Sequence, residues 1–305
     1  MMNEQNQISF DALLPGAMAS KAEDLGVKKA ALPALNMFIL AILAGAFIAM
    51  GAIFATTVSA GSIAVVNPAD SSTAYTTGLP YGVIRLIMGL AFALGLILVI
   101  VGGSELFTGN NLIAMAFASR KVTLGGLLRN WIIVYLGNFA GSIATAYIIY
   151  LSKQYTFPGG KGAIGLNVLN IADTKCGFTF IQAVALGILC NALVCLAVWL
   201  CYSARSTTDK ILAIIPPISA FVAAGFEHSI ANMYFIPVGL FVKYSGDTKF
   251  FEAIGKTAEA FKNLTWSNFF VKNLLPVTIG NIIGGAIMVG LVYWFIYLHK
   301  PTNKA

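Results

Sequence analysis

The stretch Gly225-Phe226-Glu227-His228-Ser229-Ile230-Ala231-Asn232 separates two apolar runs, 211–224 and 233–242, and neither run is long enough to cross a membrane alone. A continuous spanning helix needs about 20 apolar residues, so the two runs read as one helix broken in the middle. Lipid offers no partner for a free N–H or C=O, and irregular backbone at membrane depth must therefore be buried in protein or line a polar cavity. An acid and a histidine placed there are costly and mark a pathway.

A second copy lies upstream. Gly103-Ser104-Glu105-Leu106-Phe107-Thr108-Gly109-Asn110 aligns with Gly225 to Asn232 without a gap, on the pattern Gly-x-Glu-x-x-x-(Gly/Ala)-Asn. Interrupted apolar segments at matching places in two halves point to a transport site at their interface.

The rest of the chain fits a polytopic membrane protein. Hydrophobic residues make up 58% and charged residues 10% of the 305 positions, with a mean hydropathy of +0.82, which excludes a water-soluble globule. The net charge of +7 then reads as basic loops beside an anionic bilayer surface rather than as a nucleic-acid footprint. Six spans are predicted: 33–60, a broken second span from Tyr81 to Ala118, 124–151, 178–202, the broken fifth span 211–242, and 274–298. An even number places both termini on one side. Arg120, Lys121 and Arg129 in one short connection and Arg205 and Lys210 in another make that side cytoplasmic, although Lys243, Lys249, Lys256 and Lys262 weigh against it from the opposite face.

The expected organisation is a cytoplasmic amphipathic segment over 1–30, a six-span channel domain over 31–300 and a cytoplasmic tail over 301–305. Residues 1–30 show no secretory signal. Within them Pro15 to Leu25 is predicted as a helix capped by Gly26, with Leu14, Met18, Ala22 and Leu25 on one stripe. Such a helix lies on the membrane or against the bundle, or serves as a mobile plug or a dock for a cytoplasmic partner.

The repeat extends beyond the breaks. Asn130, Gly137, Asn138 and Gly141 match Asn273, Gly280, Asn281 and Gly284, and Ala41 to Gly45 resembles Ala183 to Gly187. Three spans separate the copies, so the second inserts upside down, giving an all-α inverted repeat of three plus three helices with halves at about 31–151 and 176–299. The Gly-Asn-x-x-Gly patterns read as small-residue packing faces.

Within the breaks, Glu105 and Glu227 are expected to accept hydrogen bonds from freed backbone. His228, facing Leu106 in the other copy, is the candidate to donate a hydrogen bond or a proton to a passing weak acid. Thr108 adds a hydroxyl, Asn191 an amide within span four, and Lys175 a cation that concentrates anions at an entrance. Phe92, Leu96, Leu106, Phe107, Val194 and Phe221 either pack the helices or narrow the path into dry constrictions. The cysteines have no metal-ligand spacing, and no catalytic motif, cofactor loop or metal site is expected.

Gly225 to Met233, Asn273 to Gly285 and Phe10 to Met18 together resemble the formate/nitrite transporter family, most closely its formate channels, over about residues 10–298. The resemblance implies an aquaporin-like six-span fold and a homopentamer with one pore per protomer. It implies roles for His228 and Thr108 at mid-pore, Lys175 at the mouth, Asn191 and Asn232 as pore amides, and the six apolar residues above as constrictions. The connection 61–80 is longer than usual for the family. The implied activity is a passive, pH-sensitive channel for formate and similar small monovalent anions in a bacterial inner membrane. Nitrite or hydrosulfide conduction and proton-coupled formate transport are the alternatives.

Overall fold

The computed structural model describes residues 11–60, 65–66, 74–75 and 79–299. Phe10 of the N-terminal motif, most of the connection 61–80 and the tail 301–305 lie outside these. Two short strands, β1 (Val65–Val66) and β2 (Ala74–Tyr75), pair antiparallel within that connection, and the other regular elements described are helical.

In chain order these are α1 (Pro15–Ala30), α2 (Ala34–Ser59), α3 (Tyr81–Gly102), α4 (Phe107–Asn110), α5 (Ile113–Ala118), α6 (Leu124–Leu151), α7 (Ala163–Cys176), α8 (Phe180–Ser203), α9 (Thr207–Ala224), α10 (Ser229–Lys243), α11 (Thr248–Ala253) and α12 (Trp266–Tyr297). Six of them, α2, α3, α6, α8, α9 and α12, are long and apolar enough to cross a membrane. α10 is the shorter apolar helix that continues α9 beyond the second break.

The packing brings α2 against α3 and α6, and α8 against α9 and α12. Glycines make this possible. A β-carbon on Gly141 would fall on the Ile42 carbonyl, and one on Gly284 would fall on the Ile188 carbonyl, so each helix pair meets backbone to backbone. Outward, a belt of large apolar side chains such as Ile132, Leu136, Phe295 and Ile296 remains exposed, as a lipid-facing or partner-facing surface requires.

The structure departs from the sequence-based expectation at several points. α1 runs on to Ala30, so Gly26 is not its cap. Gly26 is buried where a β-carbon would stand 3.0 Å from the Ala116 Cβ; it is a close-approach site against α5. The buried stripe of α1 is Met18, Ala19, Ala22, Glu23 and Gly26, while Leu14 is 77% exposed. Second, α7 occupies a connection for which no helix was predicted. Third, α12 starts at Trp266 rather than near Leu274, because Thr265 Oγ1 caps it by accepting the Asn268 N–H at 3.1 Å; the polar first turn masked the start. Fourth, the register between spans one and four is off by one helical turn, with consequences for the site.

Candidate functional site

Both breaks are built the same way. α3 and α9 end on Gly103 and Gly225, held in the left-handed conformation at φ 76° and 80°, which glycine adopts without a Cβ penalty. The following N–H groups turn back: Ser104 donates to Val99 O and Phe226 to Phe221 O, each at 3.0 Å. Then Glu105 N–H donates to Leu40 O and Glu227 N–H to Leu186 O, each at 3.3 Å. The next residues, Leu106 (φ −110°, ψ 123°) and His228 (φ −111°, ψ 115°), share one backbone conformation as the N-caps of α4 and α10.

Asparagines, not the carboxylates, satisfy the freed backbone. Asn138 accepts the Phe107 N–H at 2.9 Å and donates to Ala41 O (2.7 Å) and Glu105 O (2.9 Å). Asn281 accepts the Ser229 N–H at 2.9 Å and donates to Gly187 O (2.8 Å) and Glu227 O (3.0 Å). Both are fully buried, so the Gly-Asn-x-x-Gly faces do more than pack. The carboxylates accept instead from side chains. Glu105 takes Lys29 Nζ and Asn110 Nδ2, both at 2.7 Å. Glu227 takes Lys175 Nζ (2.6 Å), Asn232 Nδ2 (2.7 Å) and Asn273 Nδ2 (3.0 Å). A carboxylate needs charge compensation at this depth more than it needs amide donors, and lysine supplies it.

Lys29 is the residue that sequence reasoning missed. Asn138 bonds Ala41 O where Asn281 bonds Gly187 O, so Ala41 matches Gly187, not Ala183. In that register Lys29 stands opposite Lys175, and each lysine's carbonyl accepts from the matching asparagine, Asn130 at 3.1 Å and Asn273 at 2.8 Å. Small residues recurring every four positions let the two spans slide by a turn in a sequence comparison. The missed signal was an exposed-looking lysine just ahead of each span.

Two cavities flank the breaks. One, of about 360 Å³, is lined by Lys175, Glu227, His228 and Asn232 together with Phe92, Phe221 and Phe235. The other, of about 400 Å³, is lined by Lys29, Glu105, Leu96 and Leu106 with Lys21 and Lys210. Lys21 donates to Tyr202 O at 2.7 Å, and burial together with the neighbouring Arg205 and Lys210 holds its ammonium below the ordinary lysine value. Arg85 also borders the first cavity; it donates to the carbonyls of Val222 and, at 3.1 Å, Ala223, capping the C-terminal end of α9.

Between the cavities Thr108 Oγ1 and His228 Nε2 meet at 3.0 Å, with Thr108 0% and His228 3% exposed. The tautomer follows from the other ring nitrogen: Nδ1 accepts the Ala231 N–H at 3.1 Å. The neutral ring therefore carries its proton on Nε2 and donates it to Thr108, which leaves the hydroxyl's own hydrogen for a third group. The Phe221 ring lies along His228, with centroids 5.9 Å apart, and Phe92 meets Phe221 edge-on at 5.7 Å.

The remaining residues singled out from sequence are placed as follows. Phe92 and Phe221 line the Lys175-side cavity, and Leu96 and Leu106 line the Lys29-side one. Phe107 borders neither, because its ring packs on Trp131 and Tyr135. Val194 is buried and borders neither. Asn191 is also fully buried and bridges the first break to α12, donating to Thr108 O (3.3 Å), Asn111 Oδ1 (3.0 Å) and Asn281 O (2.7 Å). Among the described residues no group of His, Cys, Asp or Glu is placed to hold a metal ion.

The chain as a whole is similar to known proteins. The formate/nitrite transporter family profile matches residues 16–295. Formate channel FocA of Escherichia coli (strain K12) is 47% identical over 294 residues, covering 96% of this chain and 98% of that protein. Formate channel FocA of Haemophilus influenzae is 40% identical, covering 95% and 97%. A solved pentameric formate channel with formate bound superposes with a TM-score of 0.78 at 45% identity, over 87% of this chain and 98% of that one. An ion channel of the same family superposes with a TM-score of 0.73 at 28% identity, over 92% and 98%. With a profile match over nearly its whole length and 47% identity to a curated relative, this chain belongs to the formate/nitrite transporter family.

Proposed function

We propose that this protein is a passive channel for formate and related small monovalent weak-acid anions, working as a homopentamer in a bacterial inner membrane with both termini cytoplasmic. The observation that carries the reading is the buried Thr108–His228 hydrogen bond, set between two cavities that each present a lysine paired with a glutamate. The names of the relatives and the pentameric neighbour support substrate and assembly. The residue-for-residue contacts of the two halves support an inverted repeat.

Formate has a pKa near the ordinary carboxyl value of about 4 and arrives ionised at neutral pH. Lys175 draws it into the outer cavity, Phe92 and Phe221 strip its water, and the Nε2–H of His228 and the Thr108 hydroxyl replace part of that hydration. Leu106 and Leu96 form the second dry step, and Lys29 receives the anion on the inner side. The neutral ring donates this hydrogen bond but keeps its proton, since losing it would leave an imidazolate. Only a doubly protonated ring, whose Nδ1 has given up the Ala231 N–H, would hand a proton to the anion, so that formic acid crosses the middle and the ring returns to its neutral Nε2–H form. Nitrite and hydrosulfide fit the same path by size and charge, and a proton-coupled carrier would use the same imidazole.

Proteoliposomes loaded with formate, nitrite or hydrosulfide test this directly. Rapid downhill formate flux is expected without accumulation against a gradient. Uphill formate accumulation driven by a pH gradient would establish the coupled carrier instead, and formate passing no faster than in empty vesicles would end the reading. In the same vesicles Phe92→Ala and Phe221→Ala should each admit lactate at a rate at least about tenfold above wild type, since removing a ring eliminates both the steric and the dewetting barrier. An unchanged lactate rate would make the two rings packing residues.

A further inference from the structure

The two lysine–carboxylate clusters differ in two places: Asn273 donates to Glu227 where Asn130 makes no bond to Glu105, and the two lysines have different second partners. On one side Lys29 Nζ bonds both Glu105 Oε1 (2.7 Å) and Asn110 Oδ1 (3.0 Å). On the other, Lys175 Nζ bonds Glu227 Oε1 (2.6 Å) and lies 5.4 Å from the centroid of the Phe235 ring. Asn232, the counterpart of Asn110, is fully buried, and its Oδ1 has no hydrogen-bond partner among the described residues. Three residues beyond each asparagine the halves diverge: the first has Ile113, the second Phe235.

A buried amide oxygen without a donor is a cost to the fold. Lys175 is engaged by Glu227 and lies over Phe235 instead, and a ring face attracts a desolvated ammonium. Phe235 is 6% exposed, lines the Lys175-side cavity and stacks on Phe92, with centroids 6.3 Å apart and an interplanar angle of 18°. An ammonium over this ring therefore faces the same cavity as Phe92 and Phe221.

We propose that Phe235 is a positioning residue, whose ring holds the Lys175 ammonium within the cavity that Phe92 and Phe221 also line, where it meets the anion before the constriction. The proposal rests on the reading of this cavity as an anion mouth. The first half has the aliphatic Ile113 at the matching sequence position, and that residue does not line the Lys29-side cavity. Lysine attraction is thereby concentrated at the point where the anion loses its water.

The test uses the full-length protein with mono-, di- and trifluorinated phenylalanine installed at position 235, which weakens the negative ring face while keeping its shape. In liposomes the half-saturating formate concentration should rise with each fluorine, by about fivefold at three, the change expected for losing about 1 kcal/mol of cation–π attraction, with the cut-off against lactate unchanged. Phe235→Ile, which copies the first half, should reach the same endpoint, and Phe235→Tyr should stay near wild type. A flat response across the fluorinated series overturns the proposal. So does lactate leakage in Phe235→Ile at an unchanged half-saturation, which is the signature of packing alone. Wild-type vesicles that pass no formate would end the formate reading without touching this one. The series is then read by line broadening of ¹³C-formate and ¹⁵N-nitrite on detergent-solubilised protein: weaker binding with each fluorine supports the proposal, and equal binding of both anions across the series overturns it.

Discussion

His228→Phe should lower formate flux at neutral pH by about 10- to 150-fold, because a hydrogen bond to a charged group contributes about 1.5–3 kcal/mol and each 1.36 kcal/mol is tenfold in rate. The substitution removes two bonds at once. Nε2 no longer donates to Thr108 or to a passing anion, and Nδ1 no longer accepts the Ala231 N–H at the start of α10. The second loss is an N-cap, worth about 1 kcal/mol of stability, and it would cloud a flux measurement if the variant were unstable. His228→Asn separates the two effects. Asparagine is a good N-cap and its amide still donates, but it cannot deliver a proton. The Asn variant should fold like wild type, retain more flux than the Phe variant, and lose the dependence on external pH. Stopped-flow uptake by proteoliposomes across a pH series measures all three. Wild-type flux with a wild-type pH profile in His228→Phe would reduce His228 to a cap.

Asn281→Leu should cost about 3 kcal/mol of stability. The amide makes three bonds that the leucine cannot replace, to the Ser229 N–H, Gly187 O and Glu227 O, and each is worth about 1 kcal/mol in a buried helical bundle. The volume is nearly conserved, so little of the loss would come from a cavity. Asn138→Leu should cost a similar amount through Phe107, Ala41 and Glu105. Denaturant unfolding in detergent checks this, and a shift below about 1 kcal/mol in both variants would return the asparagines to the category of simple packing residues.

Much of the site was legible in the sequence because it is local. A helix break needs a left-handed residue, and Gly103 and Gly225 supply it; the chemistry follows within five residues, so Thr108 and His228 stand out from apolar surroundings. What was not legible depends on partners far along the chain. Asn138 looks like one more small residue on an interhelical face until its oxygen is seen on Phe107, thirty-one positions away. Lys29 was hidden by a one-turn slip, since spans rich in small residues align almost as well when displaced by a turn. The constriction role of Phe107 and Val194 rests on the family resemblance alone, and a resemblance does not say which flank of α4 or α8 borders a cavity. α7 went unseen because its 14 residues lack the long apolar run that betrays the others.

The seams at Gly141 and Gly284 bear on how fast this path can open. Backbone atoms in mutual contact have no rotamers to exchange, so one helix of such a pair moves past its neighbour only by a discrete jump, a collective event on the microsecond-to-millisecond scale or slower. Phe92 and Phe221 do have rotamers to exchange, but each is buried against other rings, so either moves only when its neighbours give way. If the proposed path runs between these seams, its frame is a fixed conduit, and any widening falls to the side chains that line it.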